Sequence, residues 1–168
     1  MSRAVVLDSG PLGLVTNPKQ SPIAVKCTRW LQTLIAREVR VVVPEVADYE
    51  IRRELLRANK VKGLAKLDAL AELLEYLPLS TEAMRKAARF WAEARQQGQP
   101  TADDKTIDAD VILAAQASTL QASDVVVATT NVGHLARFVS ARLWQDIEAP
   151  VEEATSPPFE KGGPLQGF

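Results

Sequence analysis

Four places along the chain carry residues whose types and spacing could do chemistry. Asp8 closes the apolar run AVVL. Glu50 stands in EVADYEIRRELL. Asp108 and Asp110 lie two residues apart in IDADVILAAQA. Thr129, Asn131 and His134 follow one another in VVVATTNVGH. Carboxylates that share a cleft repel one another and normally need a cation. Oxygen ligands of this hardness favour Mg²⁺ or Mn²⁺. Such an ion polarises a phosphoryl oxygen and lowers the pKa of water, which is the chemistry of phosphodiester hydrolysis.

Each group also has a duller reading. Asp8-Ser9-Gly10 could be a turn after a strand. An acid at the end of a buried apolar strand nevertheless needs a partner or solvent. Glu50 competes with Glu45, Asp48 and Glu54, and Arg52, Arg53 and Arg57 could pair with any of these acids. Glu45 and Asp48 suit a helix N-terminus. One of Asp108 and Asp110 is expected to be the N-cap of the next helix, leaving the other for chemistry. His134 is the only histidine, and a lone histidine is more often structural. Cys27, the only cysteine, has no basic neighbour and reads as a small buried hydrophobe.

The elements that must position these groups alternate between two periods. Continuous apolar runs at Ala4–Leu7, Val39–Val43 and Asp124–Thr129 read as buried parallel strands, with shorter ones at Tyr76–Leu79 and Trp144–Ile147. Helical periodicity covers Pro22 to about Arg37, Pro44–Asn59, Lys62–Leu74, Ser80 to about Gln97 and Thr106–Leu120, with a short helix over Asn131–Phe138. Ser9-Gly10-Pro11 reads as a break followed by a loop through Asn17-Pro18. Gln96–Asp104 reads as a polar loop. The alternation predicts an α/β domain with a parallel sheet. In such sheets ligands bind beyond the carboxyl ends of the strands, where Asp8, Asn131 and His134 would fall.

The 168 residues suit one domain, placed at 1–149, with a Pro- and Gly-rich flexible tail at 150–168. The formal charge of −1 means that a polyanion would be met by a local basic patch and metal ions. The N-terminus lacks a signal-peptide run and no stretch approaches a membrane span, so the expected location is the cytoplasm.

In order, these motifs resemble the PIN-domain family, and within it ribonuclease toxins of the VapC type. VVLDSG matches the opening strand that ends in Asp followed by Ser or Thr. VVVPEVADYEIRRELL places Glu50 in the acidic slot of a strand–link–helix block. IDADVILAAQA matches D-x-x-[IL]-A-A through Asp110, with Asp108 beside it. VVVATTNVGH matches T-x-N-x-x-[DH] through Thr129, Asn131 and His134. The resemblance spans residues 4 to about 147.

It implies a three-layer α/β/α fold with a mostly parallel central sheet, and endonucleolytic cleavage of RNA dependent on Mg²⁺ or Mn²⁺. Asp8, Glu50 and Asp110 would be catalytic and, with Asp108, would hold metal. Attack by metal-activated water would leave a 5′-phosphate and a 3′-hydroxyl. Ser9, Thr129, Asn131 and His134 would support the site. Arg52, Arg53, Arg57, Lys60 and Lys62 are candidates for phosphate contact. A small antitoxin and a second copy of the chain are the implied partners, with the Trp30 helix and Leu64–Leu77 as possible surfaces. Many members carry an acid where His134 stands, so the rival is a degenerate PIN domain that binds RNA or protein without cutting. A phosphoaspartate enzyme is a poor fit, because Gly10 occupies the position of its second Asp. GPLGL lacks the end of a phosphate loop.

Overall fold

The computed structural model describes residues 3–97 and 104–150. Three runs of small branched residues form its centre. They are β1 (Arg3–Leu7), β2 (Arg40–Pro44) and β4 (Asp124–Thr129), joined at the edges by β3 (Glu75–Leu77) and β5 (Ala141–Leu143). The order is β3-β2-β1-β4-β5, and every pairing is parallel. The central strands are buried on both faces, so their sequences are continuous rather than alternating.

Among the described residues six α-helices flank the sheet: α1 (Ser9–Thr16), α2 (Pro22–Ala36), α3 (Glu45–Arg57), α4 (Val61–Leu73), α5 (Thr81–Gln96) and α6 (Asp104–Ser118). Val5, Leu7, Val41, Val43, Val126 and Ala128 point to one face. They pack on Leu12 of α1, Cys27, Leu31 and Leu34 of α2, and Leu67 of α4. Val6, Val42 and Val127 point to the other, against Leu113, Ala114 and Ala117 of α6. Ala83 and Ala87 of α5 pack in turn on Val111 and Ala115 of α6. The result is the expected three-layer α/β/α arrangement.

Several local expectations give way to the tertiary structure. Residues 9–16 form a helix instead of a break and loop. Asp8 caps it, accepting from the Ser9 amide at 2.7 Å, and Pro11 falls in the first turn, where its missing N–H costs nothing. The last edge strand lies at Ala141–Leu143, and Trp144–Asp146 is a 3₁₀ turn. That turn buries Trp144 against Trp30, with ring centroids 5.7 Å apart. Trp30 Nε1 donates to the Ile147 carbonyl at 2.8 Å, so this indole serves the core rather than a partner. Pro150 carries the carbonyl that Arg37 Nη1 reaches at 2.8 Å, which ties down the position where the tail was expected to begin. The rest of that tail, and most of the expected 96–104 loop, lie outside the described residues. Among the described residues no helix is long and apolar enough to cross a membrane.

Gly63 lets α4 approach α1 and α3. A Cβ there would stand 2.6 Å from Leu55 Cδ2 and 3.2 Å from the Thr16 carbonyl oxygen. Alanine is the better helix former by about 1 kcal/mol, yet Gly63→Ala is expected to lower stability by roughly 1–2 kcal/mol because the interface is overpacked. Urea unfolding reads the sign directly, and a stabilised variant would refute the packing account.

Candidate functional site

β1 lies between β2 and β4, so the chain leaves the sheet centre toward opposite sides at the carboxyl ends of β1 and β4. Ligands bind at such a switch point in open parallel sheets. Asp8 directly follows β1 and Thr129 ends β4. The Thr129 hydroxyl donates to Asp8 Oδ2 at 2.6 Å, and the Ser9 amide holds Oδ1 at 2.7 Å. Both carboxylate oxygens are thereby oriented. Burial raises the Asp8 pKa, opposed by the Thr129 hydroxyl and the Ser9 amide and hydroxyl.

Glu50 and Asp110 stand within the field of Asp8. Burial first, then the Asp8 charge, pushes the Glu50 carboxyl up to about 6, with Arg53 opposing and Asp110 adding to the rise. Burial and the Asp8 charge likewise raise Asp110 to about 6, opposed by His134. The charge of Asp8, just after β1, thus bears on Glu50 of α3 and Asp110 of α6. The acids that rival Glu50 are each occupied elsewhere. Glu45 Oε1 accepts from the Leu79 amide at 2.7 Å. Buried Asp48 binds Arg52 Nε at 2.9 Å and the Tyr76 hydroxyl at 2.8 Å. Glu54 pairs with Arg57 at 2.9 Å.

Neither Asp108 nor Asp110 is an N-cap, because α6 already begins at Asp104. The expectation fails because the helix starts two residues earlier than its apolar pattern. Asp108 is exposed and lines a cleft with Glu50 and Arg53. Asn131 donates its amide to Thr129 Oγ1 at 3.1 Å, which shapes the turn that delivers Thr129.

The basic candidates separate. Arg52 pairs with Asp48 and, at 2.8 Å, with Asp68, which links α3 to α4. Arg57 and Lys60 line a different cleft, with Gly13, Ile51 and Pro18. Lys62 is exposed on α4. Arg53 alone of the three arginines stands beside Glu50.

One residue that organises this region has no counterpart among the sequence candidates. Gln116, fully buried on α6, accepts from the Val46 amide at 3.2 Å and donates to the Leu77 carbonyl at 2.9 Å. It fastens the start of α3 and the end of β3 to the helix that carries Asp110. Its signal was a single amide inside the apolar run ILAAQA.

Among the described residues, no group of three or more His, Cys, Asp or Glu side chains is already drawn in tightly enough to hold a metal ion. The donor set nonetheless suits one. The Asp8 charge raises the proton affinity of Glu50 and Asp110, and Asp110 adds to that of Glu50; a hard divalent cation relieves that repulsion as protons do.

The raised carboxylates set a sign for stability. Glu50 and Asp110 hold protons more tightly folded than unfolded, from ordinary values of 4.5 and 3.8 up to about 6. Their contribution is fully present below the unfolded values and is lost as pH rises through about 6. After discounting for solvent screening the loss is roughly 1 kcal/mol, or ~2–4 °C in melting temperature. The metal-free protein should therefore melt higher at pH 5 than at pH 7.5, and Asp110→Asn should shrink the difference. An equal difference in both proteins would contradict the coupling.

No family model matches the chain, and no curated protein matches it in sequence. Solved structures do. VapBC2 of Rickettsia felis, bound to a DNA fragment from its promoter, aligns with a TM-score of 0.63 and 17% identity, over 84% of this chain and 98% of that one. FitAcB of Neisseria gonorrhoeae aligns at 0.63 and 21%, over 85% and 99%. VapBC-5 of Mycobacterium tuberculosis, a member of the VapBC family of toxin–antitoxin systems, aligns at 0.52 and 22%, over 83% and 96%. This chain shares their fold across nearly its whole described length, in agreement with the PIN resemblance in its motifs.

Proposed function

We propose that the chain is a metal-dependent endoribonuclease and the toxin of a type II toxin–antitoxin pair. The observation that carries this reading is Asp8 at the sheet's switch point, both oxygens held by Ser9 and Thr129, with its charge acting on Glu50 and Asp110, while neighbouring acids are engaged in holding the fold. The shared fold with toxin–antitoxin complexes supports the biological role.

Asp8, Glu50 and Asp110 would hold Mg²⁺ or Mn²⁺, with Asp108 at the rim. When bound, the cation supplies Lewis acidity toward a phosphoryl oxygen and lowers the pKa of water. Asp8 contributes oxygens already oriented by Ser9 and Thr129, so less ordering is left for the moment of binding. His134, whose influence reaches Asp110, is suited to steady that carboxylate. Arg53 can meet the phosphate beside Glu50. A small antitoxin would seat on the apolar cleft between α2 and α4, lined by Leu31, Ile35, Leu70 and Leu73. A homodimer and a cytoplasmic location belong to the same reading.

The degenerate alternative, binding without cutting, is favoured by the carboxylates not yet being gathered to metal-ligand spacing. Labelled single-stranded RNA incubated with Mn²⁺ or with EDTA separates the two. The nuclease reading expects cuts bearing 5′-phosphates in Mn²⁺ alone. RNA that is bound but left whole at every Mn²⁺ concentration would decide for the alternative.

A further inference from the structure

The cleft containing Glu50 does not end at the carboxylates. Val46, Tyr49, Glu50 and Arg53 of α3 face Met84 of α5 and Asp108 of α6 across a space of about 510 Å³. A second cleft of about 380 Å³ shares Met84, Asp108 and Ile112 with it and runs on past Ala88 to Trp91. Each falls in the ~300–1,000 Å³ range of small-ligand sites, so each has room for a nucleotide. Large apolar side chains stand open along this path: Tyr49 is 59% exposed, Met84 46% and Trp91 37%. Both rings carry a guanidinium. Arg53 Cζ lies 5.2 Å from the Tyr49 centroid, and Arg95 Cζ 4.8 Å from that of Trp91.

We infer that this continuous cleft seats the single-stranded RNA flanking the cleaved phosphate, with bases stacked on Tyr49 and Trp91. The inference rests on the ribonuclease reading, and it adds the strand's path and the class of RNA. Exposed aromatic rings and arginine planes are what unpaired bases stack on. A base pair inside an A-form duplex has no free face to offer, so the platform selects single strands. Charge favours the same occupant. α5 carries Arg85, Lys86, Arg89 and Arg95 against Glu82 and Glu93, a surplus that attracts phosphate and opposes the pairing of α5 with α5 of a second copy. Among the described residues lining the two clefts, Asp108 is the one acid beyond Glu50, and it lies where the two clefts join.

The test reads binding separately from cutting, in the full chain carrying Asp8→Asn so that RNA survives. Trp30 and Trp144 are packed in the core, so Trp91 reports on the cleft. A short single-stranded oligoadenylate should quench the tryptophan fluorescence. Trp91→Phe should remove that signal while anisotropy of a labelled oligomer shows affinity kept within about threefold. Tyr49→Ala and Trp91→Ala should each weaken binding by about tenfold, in the range of one lost stack, with unchanged thermal midpoints. An RNA duplex of the same length should bind at least tenfold more weakly than the single strand (roughly one stack's worth,). Unchanged affinity in both alanine variants overturns the inference. So does a dimer by sedimentation that Trp91→Ala converts to monomer with RNA affinity intact, which would assign the face to a second copy. A chain without Asp8→Asn that still cuts RNA normally with both alanines refutes the stacking path and leaves the nuclease standing. One that binds through Tyr49 and Trp91 but never cuts refutes the nuclease and leaves the path.

Discussion

Asp110→Asn is expected to lower metal-dependent RNA cleavage by about a thousandfold or more, and to raise the metal-free melting temperature at pH 7.5. The first effect follows if the carboxylate holds the cation on which the chemistry depends, a contribution of several kcal/mol to the transition state. The second follows from charge. Asp110 is pushed up to about 6 by burial and by Asp8, and it raises Glu50 in turn. An amide of the same shape removes that repulsion. Loss of activity with a gain in stability is the signature of a functional rather than a structural carboxylate. Asp8→Asn should act alike on cleavage. Its stability gain should be smaller, because Ser9 and Thr129 already compensate its charge. Loss of cleavage accompanied by a lower melting temperature would point to a scaffold residue instead.

The second large effect separates Glu50 from its neighbour two residues before it. Asp48 is 6% exposed and binds Arg52 and the Tyr76 hydroxyl. Asp48→Ala leaves the Tyr76 hydroxyl without its acceptor and Arg52 with Asp68 alone, and should cost about 2 kcal/mol of stability, the scale of a lost hydrogen bond to a charged group. Cleavage per folded molecule should survive. Glu50→Gln should do the reverse, with stability held or raised and cleavage lost by at least about a hundredfold. Urea unfolding and single-turnover cleavage on the same preparations check both. If Asp48→Ala abolished cleavage while the protein stayed folded, the acidic slot would belong to Asp48.

Local spacing alone does not separate this pair. Four acids in one helix look alike in the sequence. Only tertiary partners tell them apart: Tyr76, 28 residues from Asp48, and Leu79, 34 from Glu45. The three central strands were legible because a strand buried on both faces is written as an unbroken apolar run. Asp8 was legible because an acid at the end of such a run has no apolar reason to be there. The helix α1 was not, since Gly10, Pro11 and Gly13 are local breakers whose placement here is decided by Asp8 capping and by close packing. Gly10 lies so near Thr130 that a Cβ would stand 2.5 Å from its Oγ1. The Asp108–Asp110 pair was found, but the capping role expected for one of them fails, because α6 begins at Asp104 and its polar first turn gives no periodic signal. The pairing of Arg52 with Asp68 on another helix is invisible at the level of local spacing.

Asp8, Glu50 and Asp110 are proposed to hold a divalent cation together. Electron paramagnetic resonance of free Mn²⁺, titrated with the wild-type chain and with the Asp8→Asn and Asp110→Asn variants at pH 7.5, measures this without reference to activity. The wild type is expected to take up Mn²⁺, with affinity at least about tenfold weaker in each variant, since loss of a ligand costs no less than the ~10–100-fold lost with a ligand's supporting contact. Uptake is also expected to fall as pH drops through about 6, where Glu50 and Asp110 take up protons. Equal Mn²⁺ binding by all three proteins, or none by the wild type, would contradict the shared site.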